Sequence, residues 1–264
     1  MKQRVIWGAI ALVIFLPFLL WGGLSFQVFV GLLAMIGVAE MLRMKELEFC
    51  SLEGALAMLG AFVLTVPLDH YFPSLPIDSS FSVYGILVFL LLAGTVINSD
   101  DYSFEDAAYP IASSLYVGIG FQNLVAARMS GLDKVLFALF IVWATDIGAY
   151  MIGRRFGTRK LLPKVSPNKT IEGSLGGVVC AMVVSLVFML VDKAVYAPHH
   201  LLAMLLYVAL FSVFGQFGDL VESAIKRHFG VKDSGRLIPG HGGILDRFDS
   251  MIFVFPIIHL FGLF

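Results

Sequence analysis

Apolar residues run through this chain in long blocks broken by short polar stretches. A membrane-crossing helix needs roughly 20 mostly apolar residues for about 30 Å of hydrocarbon. Against that length nine blocks stand out: residues 5–21, 24–42, 52–68, 83–97, 110–127, 135–152, 175–191, 201–220 and 251–264. The fourth has 15 residues and the last 14, so those two predict tilted or partly buried helices. The pattern predicts an all-α, polytopic integral membrane protein of about nine transmembrane helices. Lys2 and Arg4 precede the first block, but a second long block follows almost at once with no A-x-A site between them. The first block therefore reads as a retained span rather than a signal peptide.

No internal repeat or polar linker divides the chain. The chain reads as an N-terminal membrane-spanning region, 1–132, of about five helices, and a C-terminal region, 133–264, of about four helices with two basic loops. Placing the N-terminus in the cytoplasm puts 15 of the 18 Lys and Arg residues on the inner side, leaving Arg128, Lys134 and Lys193 outside. That is the bias the positive-inside rule describes. The two long basic loops, 153–174 and 221–250, then share the cytoplasmic face of the membrane. The acidic connection 98–109 carries no Lys or Arg, and the charge bias gives no reason for it.

Composition agrees with the blocks. Hydrophobic residues make up 59% of the 264 and charged residues 14%, against about 25% charged in soluble domains; mean hydropathy is +0.90. A net charge of −1 and a pI near 6.6 argue against a nucleic-acid partner. Cys50 and Cys180 lie 130 positions apart with no CxxC, so neither a disulfide framework nor a zinc site is indicated.

Acids inside apolar segments are costly and mark function. Two stand out, Asp146 and Asp219. For Asp146 a helix-end carboxylate reaching water competes evenly with a functional role. Asp219 has more around it, because Glu222 and Ser223 share its helical face and Lys226 and Arg227 follow one turn on. The segment 231–250 then adds Gly235, Gly240, Gly242 and Gly243, whose backbone freedom lets N–H groups converge on an anion. Asp246 and Asp249 stand at i, i+3, so both carboxylates face one point on a helical turn. Magnesium takes one or two carboxylates plus substrate phosphates, and Asp219, Asp246 and Asp249 together supply such ligands. Lys226, Arg227, Lys232 and Arg247 supply charge for a triphosphate. His241, between glycines, reads as a phosphate hydrogen-bond donor, with a plain loop histidine as the alternative.

In the other basic loop, Ser166 or Asn168 is expected to cap a helix beginning near Thr170, with Glu172 as an early-turn acid. A helix start beside Lys169 is a ready anion site. Absent from the chain are a P-loop, a GxGxxG fingerprint, a GxSxG elbow and an HExxH pair.

The run Ser223-Ala-Ile-Lys-Arg227, Lys232-Asp233, Gly235, Ile238-Pro239, His241-Gly-Gly243 and Asp246-Arg-Phe-Asp249 closely resembles the signature of phosphatidate cytidylyltransferases, the CDP-diacylglycerol synthases. The Asp146 segment and Ser166-Pro-Asn-Lys-Thr170 with Glu172-Gly173 resemble other recurrent stretches of that family. The resemblance is strong from Trp143 onward; the N-terminal half matches only as a multi-span apolar region. It implies synthesis of CDP-diacylglycerol and pyrophosphate from CTP and phosphatidate, with magnesium, a second cation (K+ or another divalent) and a homodimer. It assigns Asp219, Asp246 and Asp249 to metal. Lys226, Arg227, Lys232, His241 and Arg247 go to phosphates, and Ser166, Lys169, Thr170, Glu172, Ser223 and Asp146 to substrate. The expected setting is a cytoplasmic membrane with the site facing the cytoplasm. A secondary transporter would need inverted repeats, and none is found. A CDP-alcohol phosphotransferase would need a DGxxAR-type motif, which this chain does not have.

Overall fold

The computed structural model describes residues 2–73, 80–197, 199–240 and 242–264. The chain is helical almost throughout: α1 (Lys2–Trp21), α2 (Gly23–Met44), α3 (Leu52–Thr65), the one-turn α4 (Leu68–Tyr71), α5 (Ser80–Ile97), α6 (Phe104–Ser130) and α7 (Leu132–Phe156) come first. A hairpin of β1 (Lys160–Leu162) and β2 (Ser166–Thr170) follows, then α8 (Ile171–Val191), a 3-10 turn (Lys193–Tyr196), α9 (Leu201–His228) and α10 (Leu245–Leu260). Each of the nine apolar blocks lies largely on a helix. Among the described residues five helices, α2, α5, α7, α8 and α9, are long and apolar enough to cross a membrane. Their outward side chains, Phe89 and Leu190 among them, are exposed large hydrophobics of the kind a lipid phase covers.

The chain forms two compact units, Met1–Val125 with Asp233–Arg247, and Ala126–Lys232 with Phe248–Phe264. The second basic segment is thus divided between them, which the simple partition at 132/133 does not anticipate.

In the first unit α2 packs on α1 and α3, and α3 packs on α5. Gly31 lets the Phe62 ring of α3 approach, since a Cβ there would meet it at 2.7 Å. Tyr84 of α5 reaches α6, its hydroxyl 3.0 Å from the Ile111 carbonyl and 3.1 Å from Ser114 Oγ. The acidic connection before α6 has a local cause. Ser103 caps α6 reciprocally with Asp106: the Asp106 amide reaches Ser103 Oγ at 3.3 Å, and the Ser103 amide reaches Asp106 Oδ2 at 3.0 Å. Lys45 stands 3.8 Å from the same carboxylate.

In the second unit α7 and α8 approach through small residues, as helices do where burial in lipid gives no hydrophobic drive. A Cβ at Gly173 would fall 2.7 Å from the Ala149 carbonyl, and one at Gly177 2.7 Å from the Thr145 carbonyl. Neither obstacle is a flexible side chain. Gly177→Ala is therefore expected to destabilise the protein by about 1–3 kcal/mol through overpacking, read as a lower midpoint of thermal unfolding in detergent. An unchanged midpoint would mean that the two helices separate freely. Thr145 Oγ1, buried, donates to Ser212 Oγ at 2.8 Å and ties α7 to α9.

Candidate active site

The hairpin and three helices of the second unit enclose a cavity of about 460 Å³ lined by Asp146, Ala149, Tyr150, Gly153 and Arg154 of α7, Leu161 of β1, Asn168, Lys169 and Thr170 of β2, Gly173 and Ser174 of α8, and Gln216 and Asp219 of α9. Four residues expected from the sequence, Asp146, Lys169, Thr170 and Asp219, therefore meet in one place. The hairpin is what brings Lys169 there. Its antiparallel register pairs Lys160 with Thr170 and Leu162 with Ser166, so the Ser-Pro-Asn-Lys-Thr run is strand rather than loop.

That arrangement corrects the expected cap. Ser166 and Asn168 lie in β2, and Thr170, the last extended residue (φ −124°, ψ 154°), caps α8 by accepting the Gly173 amide at 3.1 Å. Glu172 is committed elsewhere in the fold. Its carboxylate accepts the Thr158 hydroxyl at 2.8 Å and the Thr158 amide at 3.1 Å, and pairs with Arg159 Nε at 3.4 Å. It closes the turn leading into the hairpin, and Glu172→Gln is expected to speed amide exchange across residues 157–162; exchange unchanged from wild type would refute that role.

Lys169 Nζ pairs closely with Asp219 Oδ2 and lies 3.4 Å from the Gln216 carbonyl. Gln216, buried, donates Nε2 to the Ser174 carbonyl at 3.2 Å and joins α9 to α8. Asp219 also accepts the Ser223 hydroxyl at 3.3 Å. One turn on, Lys226 pairs with Glu222 at 2.9 Å, both buried. On the far side of α9, Gly218 admits α10, since a Cβ would meet the Asp249 carbonyl at 2.8 Å. Asp249 thereby comes beside Asp219. Burial, then the Asp219 carboxylate, raise the Asp249 carboxyl to about 6, against the Ser250 amide, a Glu222 hydrogen bond and Lys226. Two adjoining carboxylates in such a setting favour a cation.

Among the described residues no group of three or more His, Cys, Asp or Glu stands together as metal ligands. Asp219 and Asp249 belong to the second unit and Asp246 to the first. In that first unit Asp246 Oδ2 accepts the Ser234 amide, the Ser234 hydroxyl and the Gly243 amide, each at 2.8 Å. Ile238 and Gly242 form a bridge around a turn with Gly240 at φ 78° and Gly242 at φ 83°, left-handed conformations suited to glycine. Arg227 Nη1 donates to the Val231 carbonyl at 3.2 Å and is exposed, as are Lys232 and Arg247. His241 lies outside the described residues.

Sequence reading overlooked one acid entirely. Glu40, inside the second apolar block, is 2% exposed and joins Asp246 in the network around Ser234. The rule that singled out Asp146 and Asp219, an acid within a span, applies to it equally. Gln216, Tyr150 and Arg154 also line the cavity without having been singled out.

Residues 2–264 match the cytidylyltransferase family. The chain is 46% identical over 262 residues to the phosphatidate cytidylyltransferase of Staphylococcus saprophyticus, covering 98% of each chain. To that of Staphylococcus epidermidis strain RP62A it is 46% identical over 263 residues, and to that of Staphylococcus aureus strain COL 44% over 260, again with 98% of each chain covered.

Proposed function

We propose that this chain, which belongs to the cytidylyltransferase family, transfers the cytidylyl group of CTP to phosphatidate, giving CDP-diacylglycerol and pyrophosphate. The observation that carries this reading is the cavity in which Lys169 meets Asp219, to which Asp146, Asn168, Lys169, Thr170 and Gly173 come from stretches that share in the family resemblance. Near-complete alignment with relatives named phosphatidate cytidylyltransferase supports the choice of acceptor.

The chemistry follows from charge. An oxygen of the phosphatidate phosphate forms a bond to the α-phosphorus of CTP, and the bond between that phosphorus and the bridging oxygen of the β-phosphate breaks, its electron pair leaving with pyrophosphate. The attacking phosphate is already ionised near neutral pH, its second pKa being about 6 by analogy with phosphorylated side chains. No strong general base is needed. The obstacle is the meeting of two anions, and Lys169, at the cavity wall, is placed to screen it. In this reading Thr170, Asp146 and Ser223 bind or orient substrate with Lys169, Ser166 and Glu172 shape the hairpin edge, and Lys226, Arg227, Lys232, His241 and Arg247 serve the phosphates.

Asp219 and Asp249 fit magnesium, being hard oxygen donors beside each other, with Asp219 at the cavity wall. The i, i+3 spacing of Asp246 and Asp249 supports Asp246 as a further ligand. When bound, the ion supplies Lewis-acid stabilisation of charge on the phosphoryl oxygens. A second cation and a homodimer belong to the same reading through the family resemblance. A cytoplasmic-membrane setting with a cytoplasmic site is supported by the distribution of Lys and Arg.

The test uses purified, detergent-solubilised protein with labelled CTP and either phosphatidate or diacylglycerol, followed by organic extraction. Label is expected in the lipid phase with phosphatidate and not with diacylglycerol, and EDTA is expected to abolish it. Equal labelling with diacylglycerol, or none with folded protein and phosphatidate, would overturn the assignment.

A further inference from the structure

Glu40 sits about one turn before the C-terminal end of α2, among apolar neighbours, and is 2% exposed. A carboxylate so placed needs strong donors. Those it has come from a segment about two hundred residues away: the Ile244 amide reaches Oε1 at 2.8 Å, and the Leu245 amide and the Ser234 hydroxyl reach Oε2, each at 3.0 Å. Ile244 and Leu245 form the start of α10, whose N-terminal amides have no partners within their own helix. Glu40 thus supplies from another helix what a capping residue supplies locally, with its negative charge at the favourable end of the helix dipole. The fit is close. A Cβ at Gly235 would come within 2.7 Å of the Glu40 carboxylate, and one at Gly243 closer still.

Ser234 connects this anchor to a residue of the assigned chemistry. Its hydroxyl lies 3.0 Å from Glu40 Oε2 and 2.8 Å from Asp246 Oδ2, while its amide donates to that same Asp246 oxygen at 2.8 Å. The Gly243 amide converges there too, at 2.8 Å. The two amides, with the Ser234 hydroxyl whose single proton lies between Asp246 and Glu40, fix the rotation of the Asp246 carboxylate, and Glu40 holds two of the elements that carry them, the serine and the turn entering α10. All of these residues belong to one compact unit.

We infer that Glu40 is a positioning residue for cytidylyl transfer: through Ser234 and the first amides of α10 it sets the orientation in which Asp246 is presented. A buried anion used only for packing would be expected to face a cation or a single donor. Here both oxygens are spent on the segment that carries Asp246. The inference rests on the proposal that Asp246 takes part in the reaction.

The experiment compares full-length Glu40→Gln, Glu40→Asp, Ser234→Ala and Asp246→Asn in detergent, measuring kcat, KM for CTP and amide exchange over residues 242–248. A glutamine offers one acceptor and turns an amide donor toward N–H groups. Glu40→Gln is expected to lower kcat about 10- to 100-fold, the range seen when residues supporting a metal ligand are changed. KM for CTP is expected to stay within about threefold, and exchange at residues 244 and 245 to accelerate. Glu40→Asp keeps the charge and is expected to recover part of kcat. Ser234→Ala, which leaves the buried carboxylate in place, is expected to lower kcat about 3- to 30-fold with the protein folded, and it carries the test if Glu40→Gln does not fold. Wild-type kcat in both Glu40→Gln and Ser234→Ala, beside an inactive Asp246→Asn, would overturn the positioning role alone. Full activity in Asp246→Asn would overturn the assignment of Asp246, and this inference with it.

Discussion

Asp249→Asn is expected to lower cytidylyl transfer at least about 100-fold while leaving the folded protein as stable as before or more so. In the proposed reaction Asp249 holds a magnesium ion, so loss of its charge would remove several kcal/mol of transition-state stabilisation, and each 1.4 kcal/mol is tenfold in rate. The stability expectation has the opposite sign for a physical reason. Burial and the Asp219 carboxylate raise the Asp249 carboxyl to about 6, so its ionised form is disfavoured in the folded protein. Above pH 6 the fold bears that cost, and a neutral isostere removes it. A site that trades stability for function behaves this way. Activity and thermal midpoint measured on the same preparation check both signs. A midpoint that falls with the activity would make Asp249 a structural acid instead.

Lys169→Met is expected to reduce kcat/KM for CTP by about 10- to 100-fold, with Lys169→Arg retaining an intermediate value. Lys169 reaches the cavity from β2 and pairs with Asp219, side chains 24% and 30% exposed. A hydrogen bond to a charged group contributes about 1.5–3 kcal/mol, which converts to that range. Because the ammonium meets phosphate oxygens both before and during transfer, the loss is expected in KM as well as in kcat. Steady-state kinetics over a range of CTP concentrations separate the two. Unchanged KM and kcat would remove Lys169 from the substrate site.

Much of this was legible in the sequence for a simple reason. A helix that meets lipid must satisfy its backbone internally and turn apolar side chains outward, so apolar blocks marked the helices directly. The same economy exposed Asp219 and Asp146, and both line the cavity. What the pattern did not disclose depends on contacts between distant parts of the chain. β1 has three residues and β2 contains Pro167, so neither shows an alternating signature; only their pairing makes them strands. Ser166 and Asn168 were the two caps expected for α8, and that Thr170 caps it instead follows from where the extended backbone ends. Glu172 looked like an acid placed for the helix dipole, yet it folds back on Thr158 and Arg159. Glu40 was diluted by its apolar neighbours, and its donors, at 234, 244 and 245, leave no local mark. Nor does spacing on a helix reveal that Asp246 and Asp249, three residues apart, fall in different compact units.

The most direct measurement follows the two ends of the triphosphate. Wild-type protein and Asp219→Asn would each be given phosphatidate with CTP labelled at the α-phosphate or at the γ-phosphate, and the lipid phase counted against released pyrophosphate. The predicted result is α-label in the lipid, γ-label in pyrophosphate in equal amount, and neither with Asp219→Asn. γ-Label in the lipid, α-label remaining in free nucleotide, or full transfer by Asp219→Asn would contradict cytidylyl transfer at this site.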